Sequence, residues 1–348
     1  MSTFHTLTVQ DIIKETADAV SIVFSIPEHL KNDFSFDAGQ YVTLKKEING
    51  TEIRRAYSIC SSPKSGFLKV AVKAVENGTF STYATTKLQA GDTLDVHTPE
   101  GKFVLSSEAN KNYIGFAAGS GITPVMSMVK EVLEKGVNAS FTLIYGNKTE
   151  ADTIFKNELD VLQHDFPNNF NLHYVYSRER IDGSKNGRID ESIANYYVKN
   201  LYKDISFESA FLCGPEEMIH SVSDILKSCG FDNDAILFEL FTASVEEENT
   251  AQITEGNSEI TVFLDDEETT FTMQQTDTIL AASLRNDLDA PYSCQGGVCS
   301  SCLGKVTKGK AVMTKNSILT DSEVADGYVL ACQAHPTTPK ISIDFDDV

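Results

Sequence analysis

Apolar and polar positions follow three successive regimes along the chain. In the first hundred residues, "QYVTLKKEI", "EIRRAYSIC", "FLKVAVKAV" and "DTLDVHT" alternate or run β-branched, with Gly and Pro between them. Short, evenly spaced strands of this kind predict a small antiparallel β-barrel. From about Asn112 the period lengthens. "YIGFAA" leads into a helical stretch over Thr123 to Lys135, then "SFTLIYG", a helix around Asp152 to His164, "FNLHYVYS", "SAFLCG" and a helix over Glu216 to Ser228. Alternating strands and helices predict an α/β domain built on a parallel sheet, with ligands at the carboxyl ends of its strands. "TASVEEENTAQITEGNSE" is polar and acidic with little to bury, a linker composition. The last regime mixes strands ("ITVFL", "TTFTM", "KISIDF") with one helix over Thr278 to Asn286 and predicts an α+β domain. The predicted division is a barrel over 1–107, an α/β domain over 108–241, a linker over 242–257 and an α+β domain over 258–348.

Composition narrows the class. With 41% hydrophobic and 23% charged residues the chain is expected to be globular and soluble. No apolar run is long enough to cross a bilayer, so no membrane role is expected. "MSTFHTLTVQ" lacks the basic segment and apolar core of a signal peptide, which predicts a cytoplasmic location. In that reducing compartment, seven cysteines are expected to be ligands, reactive thiols or core residues rather than disulfides. A net charge of -21 repels phosphate backbones and argues against nucleic acid as a partner. No Lys or Arg occurs from Ser228 to Leu284. That stretch reads either as a solvated acidic surface or as a docking face for a basic partner.

Four cysteines carry the most specific pattern: Cys294, four residues, Cys299, two residues, Cys302, then twenty-nine residues to Cys332. This is the plant-type spacing for a [2Fe–2S] cluster. Gly296 and Gly297 let the loop curl without Cβ clashes. A four-thiolate zinc site is the alternative, but such sites use paired short knuckles and Cys332 stands alone. Cys60 is expected to pack behind a strand and Cys229 to pack a helix end.

"RRAYSIC" sets Arg55 and Tyr57 on one face of a predicted strand, a planar fork for phosphate beside a flat ring. "GTFSTYA" then places Gly78 and Ser81 at the opening of a short helix, where free N–H groups and the dipole favour phosphate. With these two motifs the chain resembles the ferredoxin–NADP reductase superfamily. The resemblance implies that Arg55 grips the FAD pyrophosphate, Ala56 lies beside it in the flavin-binding strand, Tyr57 stacks on the isoalloxazine and Ser58 reaches toward the flavin N5. It also implies that Gly78, Phe80 and Ser81 line the second phosphate, with Lys73 as a further candidate.

"AAGSGITPVMSMV" follows a strand and opens a helix, with Gly119 and Gly121 permitting close backbone approach to a pyrophosphate. The usual third glycine is replaced by Pro124, which the first helical turn tolerates. G-x-G-I-T-P is the form this superfamily uses, so Gly119, Gly121, Thr123 and Pro124 are implied to bind the nicotinamide nucleotide. By the same resemblance, Cys213 and Gly214 of "CGPEEM" approach the nicotinamide ring. Glu239 and Phe241 of "LFELF" match the family's segment near the flavin. "YGNKT" offers no carboxylate for a ribose 2′-hydroxyl. Ser177 and Arg178 of "YSRER", with Arg188 of "NGRID", resemble the set that receives a 2′-phosphate, so NADPH is expected as donor, NADH being possible. Arg178 as a simple surface cap is the plain alternative.

The order barrel, nucleotide domain, ferredoxin, with "RRAYSICSSP", "GTFSTYA" and "ACQAHP", resembles oxygenase-serving reductases, above all the reductase components of phenylacetyl-CoA epoxidase systems. The implied enzyme passes electrons from NADPH through FAD and a [2Fe–2S] cluster of a β-grasp ferredoxin domain to an oxygenase component with a basic docking patch. Reductases of steroid or aromatic hydroxylases, a general ferredoxin or flavodoxin reductase, and a redox sensor or carrier that does not turn over are the competing readings.

Overall fold

The computed structural model describes residues 4–241, 253 and 255–348. The predicted linker over 242–257 falls mostly on residues outside that range, and Asn257 already begins a strand. Two units are distinguished, one comprising Phe4–Ile53 with Tyr57–Leu240, the other Phe241–Val348 with the three-residue stretch Arg54–Ala56.

The first unit begins with a six-stranded sheet. Its strands are β1 (Phe4–Thr16), β2 (Ala19–Ser25), β3 (Tyr41–Ile48), β4 (Thr51–Ser58), β5 (Leu68–Lys73) and β6 (Thr93–His97), in the order β4-β3-β6-β1-β2-β5. A bridge between Ile59, just past β4, and Val70 of β5 joins the two sheet edges, so the sheet curls into the expected barrel. Leu7, Val9, Ile22, Leu44 and Val96 point inward with almost no exposure and fill it. The first hairpin escaped the periodicity reading because β1 is polar at most positions and has register shifts at Val9/Asp11 and Lys14/Thr16 that break the two-residue alternation. Helix α1 (Thr79–Thr86) follows β5 and buries Phe80 and Ala84 against this core.

The second sheet of the unit is parallel throughout. It contains β7 (Asn112–Ala118), β8 (Ser140–Asn147), β9 (Phe170–Tyr176), β10 (Lys185–Asn186), β11 (Ser209–Cys213) and β12 (Ile236–Glu239), in the order β10-β9-β8-β7-β11-β12. Five consecutive buried residues in β7 explain its unbroken apolar run, since helices cover both faces of such a sheet. Those helices include α2 (Ile122–Lys135), α3 (Lys156–Asp165), α4 (Glu191–Asn195) and α5 (Glu216–Ser228). The chain widens into a π-helical turn over Tyr196–Leu201 right after α4, which periodicity did not predict. Cys229 caps α5 with its backbone N–H, but its side chain is exposed, so it does not pack the helix end as expected.

The other unit is α+β, as predicted. Strands β13 (Asn257–Leu264), β14 (Glu267–Gln274), β15 (Leu303–Lys308), β17 (Tyr328–Leu330) and β19 (Lys340–Asp344) form a five-stranded sheet in the order β14-β13-β19-β15-β17, with β13 and β19 parallel. A small ladder pairs β16 (Ala311–Met313) with β18 (Ala334–Pro336). Helix α6 (Ile279–Arg285), capped by the Thr278 hydroxyl, lays Ile279, Leu280 and Ala282 on this sheet, and a short α7 spans Asp321–Ala325.

Candidate functional site

Three elements of the first unit converge at the carboxyl edge of its parallel sheet. Cys213, the last residue of β11, lies opposite Glu239, the last residue of β12. Ser58, the last residue of β4, is buried, and its hydroxyl donates to Glu239 Oε2 at 3.0 Å. Glu239 is half-buried. Burial pushes its carboxyl up to about 7, against the Ser58 hydrogen bond, which pulls it down. Cys213 is fully buried, and burial together with the Glu239 charge pushes its thiol well up. Ser58, Cys213 and Glu239, far apart in sequence, thus form one cluster. A carboxyl that titrates near neutrality while hydrogen-bonded to a hydroxyl can hold or pass a proton at Ser58 Oγ.

The loop ahead of α2 meets this cluster. Gly119 has φ +55, and a Cβ on Gly121 would sit 2.1 Å from the Cys213 carbonyl oxygen, so only glycine fits there. Gly121 and Cys213–Gly214 therefore lie in direct contact, which their separation in sequence did not reveal. Thr123 Oγ1 donates to the Ser120 carbonyl at 3.0 Å, and Pro124 is buried in the first turn of α2. Tyr145 was not singled out by sequence: its hydroxyl donates to the Gly119 carbonyl at 3.0 Å and braces the loop. A polar-tipped aromatic at the end of an otherwise apolar strand was the available signal.

The flavin-side candidates divide. Tyr57 and Phe80 bring β4 and α1 together, with ring centroids 5.6 Å apart. Phe80 is 1% exposed, so it offers a phosphate only its backbone N–H. Gly78 is the N-cap of α1, and Ser81 Oγ accepts from the Val75 N–H at 3.2 Å. Arg55 is exposed on β4, its guanidinium donating to the Arg54 carbonyl, with Ala56 half-buried beside it. Lys73 pairs with Asp18 at 3.5 Å. At the ends of β8 and β9, the Ser177 N–H donates to the Asn147 carbonyl and the Arg178 N–H to the Lys148 carbonyl. Arg178 and Arg188 are both exposed. Phe241, also exposed, closes the first described stretch.

In the other unit, Cys294, Cys299 and Cys302 lie on the irregular segment before β15, and Cys332 between β17 and β18. The Gly296 N–H points at Cys294 Sγ, 3.3 Å away. The neighbouring Cys299 and Cys332 draw the Cys294 thiol well below its usual range, while Cys299 and Cys332 are themselves pushed up. Three cysteines on one curled loop and a fourth just after β17, with the Gly296 N–H aimed at a sulfur, are the residues that would hold an iron–sulfur cluster. Gln295 and Gly297 take positive φ to form the curl. Lys315 O would lie 3.0 Å from a Cβ on Gly297. The loop is pinned by the Ser317 N–H to the Gly297 carbonyl and by Gln333 Nε2 to the Gln295 carbonyl.

Residues 6–105 match the family model described as oxidoreductase FAD-binding domain, 116–224 the oxidoreductase NAD-binding domain, and 262–337 the 2Fe-2S iron-sulfur cluster binding domain. The chain is 38% identical to a component of the 1,2-phenylacetyl-CoA epoxidase of Escherichia coli (strain K12), covering 99% of each chain. It is 33% identical to the ferredoxin reductase component of 3-ketosteroid-9-alpha-monooxygenase from Rhodococcus rhodochrous, covering 97% of this chain and 96% of that one. Phthalate dioxygenase reductase shares the fold over 98% of both chains, with a TM-score of 0.62 at 24% identity. The chain belongs to the ferredoxin–NADP reductase superfamily. It is an oxidoreductase of the branch with a C-terminal [2Fe–2S] domain, and its cofactors are FAD, a nicotinamide nucleotide and that cluster. The 2Fe-2S match spans the stretch that holds all four cysteines and supports the cluster rather than zinc.

Two outcomes follow for this superfamily member. Cys302→Ser removes one sulfur of four and should abolish the cluster's iron, labile sulfide and visible absorbance. Because the units have separate cores, flavin bleaching by NADPH in a stopped-flow instrument should stay within about twofold of wild type. For Glu239, the folded protein holds a proton up to about pH 7 that an ordinary carboxyl releases near 4.5. Stability from the neutral form is therefore complete below about 4.5 and is lost as pH rises through about 7. Glu239→Gln should flatten the urea-unfolding profile across that window, gaining up to about 3 kcal/mol relative to wild type at its upper end.

Proposed function

We propose that this chain is the reductase component of a phenylacetyl-CoA epoxidase-type oxygenase system, taking electrons from NADPH. The carrying observation is 38% identity with the Escherichia coli epoxidase component along 99% of both chains, alongside 33% with the steroid monooxygenase reductase. When bound, the nicotinamide nucleotide and FAD would supply hydride chemistry and the cluster one-electron transfer. The chain's own residues bind, orient and manage protons. Arg55, Ala56 and Tyr57 hold the flavin, with Gly78, the Phe80 backbone and Ser81 at its phosphates. Gly119, Gly121, Thr123 and Pro124 receive the nicotinamide nucleotide. Ser58 and Glu239 hold a proton at the Ser58 hydroxyl, supported by their 3.0 Å hydrogen bond. Cys213, buried and protonated, packs there as a shaped wall rather than a nucleophile. Phe241 belongs to the same site by resemblance.

Ser177, Arg178 and Arg188 favour NADPH over NADH, because exposed guanidinium groups at the ends of β9 and β10 suit a 2′-phosphate. Seven unpaired cysteines suit a reducing cytoplasm. Among the described residues no helix is long and apolar enough to cross a membrane. The acceptor is an oxygenase component presenting a basic patch, because the chain carries a net charge of -21 and acids such as Asp265, Asp266, Glu267 and Glu268 are exposed on the ferredoxin unit.

Arg178→Ala should remove a charge-assisted contact worth about 1.5–3 kcal/mol. The KM for NADPH should then rise roughly ten- to a hundredfold, with NADH nearly unchanged. Equal changes for both nucleotides would overturn the 2′-phosphate assignment. Reconstitution with the oxygenase component of phenylacetyl-CoA epoxidase tests the acceptor, with a 3-ketosteroid monooxygenase component as competitor. Coupled turnover should favour the epoxidase and slow markedly with added salt, while flavin reduction by NADPH changes little. Preference for the steroid component would move the chain to that branch. Steady-state oxidation of NADPH with an artificial one-electron acceptor separates a reductase from a non-turnover sensor.

A further inference from the structure

Away from the cluster of Ser58, Cys213 and Glu239, the first unit buries two lysines that the chemistry above does not use. Lys69, in β5 of the barrel, and Lys130, in α2 of the nucleotide domain, have side chains only 8% exposed. Lysine is rarely buried without a partner. Both find the same one. Glu158 of α3 accepts from Lys69 Nζ at 3.0 Å through Oε2 and pairs with Lys130 Nζ at 2.6 Å through Oε1. Burial opposes the charge on Glu158, but the two lysines prevail and hold its carboxyl below the usual range.

The surroundings tie this triad to the site. Lys130 Nζ also donates to the Cys60 carbonyl at 3.1 Å, and Ser127 Oγ, one turn earlier on α2, donates to the Ser61 carbonyl at 2.7 Å. Cys60 and Ser61 continue the strand that ends at Ser58. On the barrel side, the Cys60 N–H and Sγ both donate to the Lys69 carbonyl, and the Lys69 N–H donates to Ser61 Oγ. Helix α2 thus carries the Gly119–Gly121 loop at its start and grips the flavin strand with its body. Glu158 is the anion that lets both lysines stay in that joint.

We infer that Glu158 is a positioning residue for hydride transfer: it clamps a lysine from each half of the reductase unit and sets how the nicotinamide loop approaches the flavin strand. The inference deepens the functional reading above and rests on it. Reacting groups held a fraction of an ångström out of place lose rate steeply, so the clamp should govern the hydride step more than nucleotide affinity.

Glu158→Gln keeps the shape and removes the charge. In the full-length holoprotein it should retain FAD and slow flavin bleaching by NADPH about tenfold or more. Nucleotide Kd should change little, and the flavin–nicotinamide charge-transfer absorbance should weaken. Amide hydrogen exchange over 59–69 and α2 should quicken about tenfold. Lys130→Met, which keeps the apolar stem, is a second route, and the double variant should be no slower than either single one because all three break one joint. Lys111→Ala, which cuts the exposed Lys111–Glu208 pair in the same unit, serves as control and should do none of this. A lowered Tm with unchanged bleaching rate, charge-transfer band and amide exchange would reduce the triad to a stabilising contact and overturn the inference. If neither NADPH nor NADH bleaches the wild-type flavin, the functional reading fails instead, and amide exchange alone then decides the clamp.

Discussion

Helix α2 is held at two places at once. Its leading loop presses on the Cys213 backbone with no room for a Cβ at Gly121, while Ser127 and Lys130 hydrogen-bond to the carbonyls of Ser61 and Cys60. One end of the helix answers to the parallel sheet and its body to the barrel. Everything at the carboxyl edge, including the approach of Glu239 to Ser58, depends on these two contacts being met together. Parallel strands alone would leave β12 correctly placed in its sheet but without a defined partner from the barrel.

The same joint illustrates how environment sorts like residues. Cys60 lies beside two lysines that lower its pKa, yet burial outweighs them and pushes the thiol up to about 12, so it is an inert core residue. Cys294 is also largely enclosed, but the neighbouring Cys299 and Cys332 draw its pKa down. Carboxylates divide likewise. Glu158, between two ammonium groups, stays charged despite partial burial. Glu239, with only the Ser58 hydroxyl to offset burial, titrates near neutrality.

The ferredoxin unit has its own apolar core, built on Ile260, Val262, Ile279, Leu280, Ile341 and Ile343. It folds its cluster loop by local means: positive φ at Gln295 and Gly297 and hydrogen bonds from Ser317 and Gln333. Neither core cluster of the first unit shares a residue with it. Modularity at the level of cores is what allows one chain to combine flavin and iron–sulfur chemistry without each disturbing the fold of the other.

Features whose cause is local were legible in the sequence. The cysteine spacing, the unbroken apolar β7, the helix that begins about Thr278 and the Gly–x–Gly turn before α2 each depend on a few adjacent residues, so pattern and chemistry agreed. The polar first strand with its register shifts and the π-helical turn after α4 did not announce themselves, because tertiary packing overrides their local signals. Contacts between distant segments were out of reach altogether. That Glu239 meets Ser58, that Gly121 lies under the Cys213 carbonyl, and that Lys69 and Lys130 share Glu158 depends on how three folded elements come together. A sequence states which groups a chain carries and at what local spacing. Which of them end up within 3 Å of each other, out of water, is decided by packing, because burial and proximity belong to the folded chain and to no single segment of it.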